Sequence, residues 1–196
     1  MPEPGAAELD RRTRGALARA GWRESELVWE RLSESGSAAD ASGDPDLAAQ
    51  YWAQALRLAR ESFDTADPRL AASLTNHAAA LVRAGDAAAA DRLFAESLRV
   101  WGAARAWLLG MPLDNPARSS VFHLRMQLRH ADVYDRRERE LWQARFDTAR
   151  AVTRAHARGE PMAFDGLTEW RREKPATYTD ARKALAATLL LLPPPR

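Results

Sequence analysis

The chain has 196 residues, a formal net charge of +2 and no cysteine. This length fits one domain or one short solenoid, and the missing cysteines exclude disulfides, thiolate metal ligands and cysteine nucleophiles. Because alanine is abundant while glycine and β-branched residues are few, the composition predicts an all-α chain. The small net charge does not favour nucleic acid as a partner.

Residues 1–23 are predicted to form an N-terminal capping helix, since Leu9, Ala16 and Leu17 lie at helical spacing. No basic stretch followed by an apolar one occurs there, so we expect no secretory signal. The lack of cysteine is compatible with a reducing compartment. We therefore expect a cytoplasmic protein with a single domain over 1–196.

The next two segments repeat one pattern at an offset of 42 residues. In each copy a helix ends at a glycine, an aspartate caps the following helix, and an aromatic side chain fills the groove between small residues. The sequence therefore predicts two helix pairs, over 24–66 and 67–114. The matching positions are Gly43-Asp44 with Gly85-Asp86, Leu32 with Leu74, Gly36 with Ala78, Ala48 with Ala90, Trp52 with Phe94, Ala55 with Ser97, and Leu56 with Leu98.

This pattern resembles the tetratricopeptide repeat. The second unit is most similar to the repeats of kinesin light chain, on the run from Ser73 to Leu81 and on Gly85, Ala90, Phe94 and Leu98. The resemblance implies a short right-handed helical-repeat solenoid of tetratricopeptide-like helix pairs, with helical caps at both ends. It also implies a non-catalytic role in binding another protein.

A third, degenerate unit is predicted over 115–158. Asn115-Pro116 repeats the helix start at Asp67-Pro68, with a capping side chain before a proline. We expect the second helix of this unit to begin near Asp135, although residues 117–158 contain neither glycine nor proline to mark a turn. The alignment on the second unit places Val121 with Leu74, Leu124 with His77, and Leu128 with Leu81.

Residues 159–196 are predicted to form C-terminal capping helices and a proline-rich tail. Their apolar run, 185–192, is too short to cross a bilayer and stops at Pro193. No membrane partner is therefore expected. The leucine-rich helix caps its own chain or makes a homodimer, and the sequence does not decide between these alternatives.

In the tetratricopeptide family, the first helices of successive pairs line a concave groove. The resemblance therefore implies a peptide-binding or partner-binding surface, on which an asparagine such as Asn76 hydrogen-bonds the backbone of a bound peptide. The alternative is that Asn76 satisfies a neighbouring helix or water. The predicted binding residues are Glu34, Thr75, Asn76, Arg83, Phe122, His123, Met126, Arg129 and His130.

Charge is unevenly distributed along the array. Residues 23–50 contain seven acidic residues and two arginines, whereas residues 117–158 contain ten arginines and five acidic residues. Either these are solvated helix faces, or the basic end engages an acidic partner or another copy. A nucleic-acid-binding or transcriptional alternative would use Trp142 and Phe146 as stacking platforms, but the interspersed acids would repel phosphate.

No motif points to catalysis, a cofactor or a metal. The four histidines lack metal-ligand spacing, and His77 falls on a core position of the second repeat. No glycine-rich phosphate loop or nucleophile elbow occurs. We therefore predict an adaptor, assembly chaperone or accessory subunit that holds a peptide or partner surface, with a homo-oligomeric scaffold as a further alternative.

Overall fold

A computed structural model describes residues 22–110 and 121–160, together with Gly15 and Ala18. Between 121 and 141 it describes the backbone and, among side chains, only those of Arg136, Arg139 and Glu140. Over the described residues the chain forms five helices and no strand, which confirms the predicted all-α helical-repeat fold. The helices are α1 (Glu24–Ala41), α2 (Pro45–Ser62), α3 (Pro68–Arg83), α4 (Ala87–Gly110) and α5 (Val121–Ala157).

The two turns within the helix pairs have the predicted glycine and aspartate at equivalent places. Gly43 and Gly85 have positive φ angles of 81° and 84°, a conformation that glycine adopts without steric cost. The carboxylates of Asp44 and Asp86 each accept a hydrogen bond of 3.0 Å from a backbone N–H three residues later. The same local chemistry therefore ends the first helix and starts the second in both pairs.

The aromatic residues predicted to fill the pairs are in the core. Trp52 and Phe94 are both buried. Trp52 lies so close to α1 that a Cβ added at Gly36 would be 2.4 Å from its Nε1 atom. The first pair thus depends on a glycine for its helix–helix distance. Trp107 is half-buried and packs against the main core.

The fifth helix differs from the prediction of a third helix pair. α5 continues from Val121 to Ala157 without a break, so the second helix expected to begin near Asp135 does not exist as a separate element. The reason lies in the composition already noted: residues 121–157 include no glycine or proline that would interrupt the backbone hydrogen bonds of a helix.

The C-terminal half of α5 packs antiparallel along α4. Close to the end of α4, Arg139 donates a hydrogen bond to the carbonyl oxygen of Leu108. Near the start of α4, Ala157 packs against the cluster that Ala90 and Phe94 form with Ala78. Residues 139–157 therefore continue the array beyond the second pair, whereas the alignment gave that role to residues from 121 onward. The apolar α5 side chains in the core are Trp142, Phe146, Ala149 and Val152.

The predicted ends of the array lie outside the described residues. Only Gly15, Ala18, Trp22 and Arg23 of the N-terminal cap are described, and the C-terminal segment is described only to Glu160. The predicted helix start at Asn115-Pro116 is also outside them. Across the described segments, no helix carries an apolar stretch long enough to cross a membrane.

Candidate functional site

Helices α1 and α3 run side by side in the same direction and in constant register. Their contacting partners are 43 or 44 residues apart, close to the repeat offset, so equivalent positions of the two pairs face one another. The contacts are Arg69 Nη1 to Glu26 Oε1 at 2.9 Å, Trp29 Nε1 to Ser73 Oγ at 2.8 Å, and Arg83 Nη2 to Asp40 Oδ1 at 3.0 Å. We call the face on which Asp40 pairs with Arg83, together with the exposed Glu34 of α1, the α1–α3 surface.

A buried ionic cluster joins the starts of α1 and α3. The Arg69 guanidinium lies 2.6 Å from Asp67 Oδ2 and 2.9 Å from Glu26 Oε1, and 3.9 Å from the centre of the Phe63 ring. The second oxygen of Glu26 accepts the backbone N–H of Arg23 at 2.8 Å. Burial acts to lower the pKa of Arg69, but its hydrogen bonds and charge contacts outweigh burial and raise that pKa.

All three charged members of this cluster are almost fully buried. No pattern in the sequence distinguishes them from surface charges, and the sequence therefore did not predict them. A cluster that is closed off from solvent holds helices together, and it leaves no charge for a ligand to contact.

The opposite end of the α1–α3 surface is accessible. Glu34 is exposed on α1. Arg83 and Asp40 keep 33% and 27% of their side-chain surface while forming their ion pair, and the Arg83 guanidinium lies 5.5 Å from the centre of the Trp52 ring. A guanidinium has several N–H donors in a fixed geometry, so Arg83 can hold Asp40 and still donate to a carbonyl or carboxylate of a partner.

Thr75 lies in the interior, where it meets α4 and α5. Its Oγ1 atom is 2.8 Å from Ser97 Oγ and 2.9 Å from Thr153 Oγ1, and none of its surface is exposed. Thr153 also accepts the indole N–H of Trp101 at 3.0 Å. The predicted contact of Thr75 with a bound partner is therefore wrong for this conformation, because the hydroxyl binds the chain's own fifth helix.

Asn76 is also interior, with 2% of its surface exposed. The constant register of α1 and α3 places it opposite Ser33, which is equally buried. A peptide could hydrogen-bond the Asn76 amide only if neighbouring side chains moved. Its role in binding stays a prediction; of the predicted residues whose side chains the structure describes, Glu34 and Arg83 are exposed.

The remaining predicted residues belong to the first part of α5. The backbone at these positions is helical, while their side chains lie outside the described residues, so their contribution to binding stays a prediction. The residues are Phe122, His123, Met126, Arg129 and His130.

The aromatic platforms proposed for nucleic-acid binding are not available on the surface. Trp142 and Phe146 are 6% and 1% exposed, and the Phe146 ring packs 5.9 Å from that of Trp101. Stacking of bases on these two rings is therefore excluded in this conformation. The heptad-like spacing of the two rings with Ala149 and Val152 is the pattern that could have indicated a core face.

His77 is a packed residue of α3, as its repeat position predicts. It is half-buried, and its Nδ1 atom has no hydrogen-bond partner among the described residues. Burial, and next the positive charge of Arg60, lower the pKa of His77. In the described part of the chain, no group of three or more histidine, cysteine or acidic side chains is arranged to hold a metal ion.

The geometry of two helix pairs with parallel first helices can be compared with known families. Residues 30–102 match the tetratricopeptide repeat. The match begins within α1 and ends within α4, and it supports the interpretation of these two helix pairs as tetratricopeptide repeats. No curated protein and no solved structure matches the chain significantly.

Proposed function

We propose that the chain is a non-catalytic protein-binding module that holds a peptide or a partner-protein surface against the α1–α3 surface. One observation carries this proposal: the first helices of two tetratricopeptide repeats lie parallel and in register, and so form one preformed face. Repeats of this family generally bind other proteins. A preformed face loses little conformational entropy on binding, which favours recognition of an extended partner.

The accessible side chains indicate what kind of partner fits this face. Glu34 offers a carboxylate, and Arg83 offers guanidinium donors that Asp40 holds in place. A peptide with a basic side chain near Glu34 and a carbonyl or carboxylate near Arg83 would meet both requirements. Because the Asp40–Arg83 pair is already formed, Arg83 needs no large rearrangement to donate.

We propose the finer role from the sequence resemblance alone. An adaptor, an assembly chaperone or an accessory subunit in the cytoplasm would use this face, with the predicted residues of the first part of α5 extending it. The similarity of the second repeat to kinesin light chain is part of this proposal, and so is homodimer formation through the C-terminal leucines.

Site-specific photocrosslinking in the native cell tests the proposal. A photoreactive amino acid replaces exposed Glu34, and in a matched control it replaces Arg57, an exposed residue of α2. We expect one protein to crosslink at position 34 and not at position 57. The purified partner should then bind the wild type more tightly than the Arg83→Gln variant. Asn76→Ala is less suitable, because a buried amide also affects folding.

The outcome that would contradict this proposal is equally specific. If both positions crosslink the same proteins in the same yield, the contacts are random collisions. If the purified partner binds Arg83→Gln and wild type equally, the partner uses another face. Circular dichroism melting of each variant verifies that it is folded.

A further inference from the structure

Charge pairing differs between the two halves of the described array. Around α1, α2 and α3, four arginines form salt bridges with acidic side chains. Two of these salt bridges join Arg60 to Glu96 and Arg83 to Asp40. Within the described residues, a set of arginines on α4 and α5 forms no ion pair. Among them are Arg92, Arg99, Arg150 and Arg154, which we call the arginine seam.

The antiparallel packing of α4 and α5 brings members of the seam together. The Arg150 guanidinium lies 3.8 Å from the place a Cβ of Gly102 would occupy, so it rests against α4 at van der Waals distance. Arg99 lies one turn before Gly102, and Arg154 lies one turn after Arg150. Since the helices run in opposite directions, these two turns lie alongside each other.

The Arg150 side chain is only partly exposed, and its Nε atom is buried without a hydrogen-bond partner among the described residues. An arginine normally fills such donors with carboxylate or carbonyl oxygens. Asp147, the nearest acid before it on α5, instead accepts a hydrogen bond from Gln143 at 3.0 Å. The seam is therefore short of acceptors, and its complement is negatively charged.

We propose that the arginine seam binds an acidic helical segment of a partner protein. Arg150 and Arg154 are four residues apart on one helix, which corresponds to about 6 Å, the spacing of carboxylates at positions i and i+4 of a facing helix. Nucleic acid fits less well, because Asp91 and Asp147 are exposed beside the seam and the nearby aromatic rings are buried. Carboxylates one turn apart on a facing helix need no aromatic platform and can lie at the arginines alone, whereas nucleic acid carries a phosphate at every nucleotide and also meets the neighbouring acids.

Fluorescence anisotropy with a synthetic probe tests this assignment. The probe is a fluorescein-labelled alanine-rich helical peptide with glutamate at every fourth position, titrated with the full chain at low salt. Replacing Arg99 and Arg154 together by alanine should weaken binding about tenfold, the sum expected for two exposed ion pairs. The matched control, Arg57→Ala, removes an exposed arginine from α2 and should leave the affinity unchanged.

Three results would overturn the assignment. The first is that the peptide binds no better than one of the same composition with its glutamates in adjacent positions. The second is that the double variant binds the peptide as tightly as Arg57→Ala does. The third is that a single-stranded oligonucleotide of equal charge binds the seam more tightly than the peptide. A fourth is loss of a dimer in the double variant, by sedimentation, which would make the occupant a second copy of this chain. Because the seam lies on α4 and α5, Arg83→Gln should not affect the probe.

Discussion

Replacing Thr153 by valine removes the hydroxyl group that hydrogen-bonds α5 to the second helix pair. The two side chains have nearly the same shape, so the substitution removes hydrogen bonds without opening a cavity. Thr153 Oγ1 accepts the indole N–H of Trp101 at 3.0 Å and lies 2.9 Å from Thr75 Oγ1. Valine leaves the Trp101 donor without its acceptor in a site where the indole is 2% exposed.

The expected cost comes mainly from that donor. A buried N–H that loses its partner costs about 1–3 kcal/mol. Thr75 retains Ser97 Oγ at 2.8 Å and the carbonyl oxygen of Ala71 at 3.1 Å, so its own loss is small. We expect the free energy of unfolding to fall by about 2 kcal/mol, which lowers Tm by roughly 4–8 °C for a chain of this size.

Thermal and urea unfolding followed by circular dichroism measure this change. Thr148→Val is the matched control, because Thr148 lies on the same helix, is exposed, and bonds only the carbonyl oxygen of Ala144 at 3.0 Å. Its effect should stay within about 0.5 kcal/mol. In a Trp101→Phe background the donor is already absent, so Thr153→Val should cost less there. Equal stability of the two valine variants would refute the reasoning.

Five other substitutions test three separate contacts. Gly36→Ala should lower the free energy of unfolding by about 1–3 kcal/mol, because the new methyl group overlaps the Trp52 indole. Gly102→Ala has its nearest neighbour 3.8 Å away and should instead raise the free energy of unfolding by about 0.5–1 kcal/mol. Changes of the same sign for the two variants in urea unfolding would contradict this. The lowered pKa of His77 means that the unfolded chain binds its proton more readily, so the contribution of His77 to stability is complete above pH ~6.5 and is lost as the pH falls through the folded pKa. His77→Gln should remove this pH dependence from thermal melts, and Arg60→Gln should raise the pKa of His77 in an NMR titration; no change in either would show that the histidine is solvated. Arg69→Met should cost about 3–5 kcal/mol, because it leaves two buried carboxylates without their cation, and a variant that melts like the wild type would mean that the carboxylates take up protons at little cost.

The parts of the fold that the sequence predicts depend on local chemistry. Glycine at positive φ and aspartate at a helix start need only their immediate neighbours, so Gly43-Asp44 and Gly85-Asp86 mark both turns. The repeat offset then indicates that Trp52 and Phe94 share a role. These features rest on backbone preferences that act within a few residues.

The errors concern contacts between distant parts of the chain. The resemblance places Thr75 on a binding surface, because nothing near it in the sequence shows that Thr153 contacts it from 78 residues later in the chain. Glu26 and Arg69 look like surface charges until α1 and α3 are placed side by side. For α5, the resemblance to a repeated pair predicts two helices, whereas the chain from Val121 to Ala157, which includes no glycine or proline, forms one.

Among the described residues, two indole N–H groups donate hydrogen bonds from one helix to another, and their hydrogen exchange reports on two separate helix contacts. Trp29 donates to Ser73 between α1 and α3, and Trp101 donates to Thr153 between α4 and α5. Each indole proton exchanges with deuterium only when the contact between its two helices opens. In a linear array of helices these contacts can open independently. The relative exchange rates therefore tell whether the array comes apart from the α5 end first or separates everywhere at once.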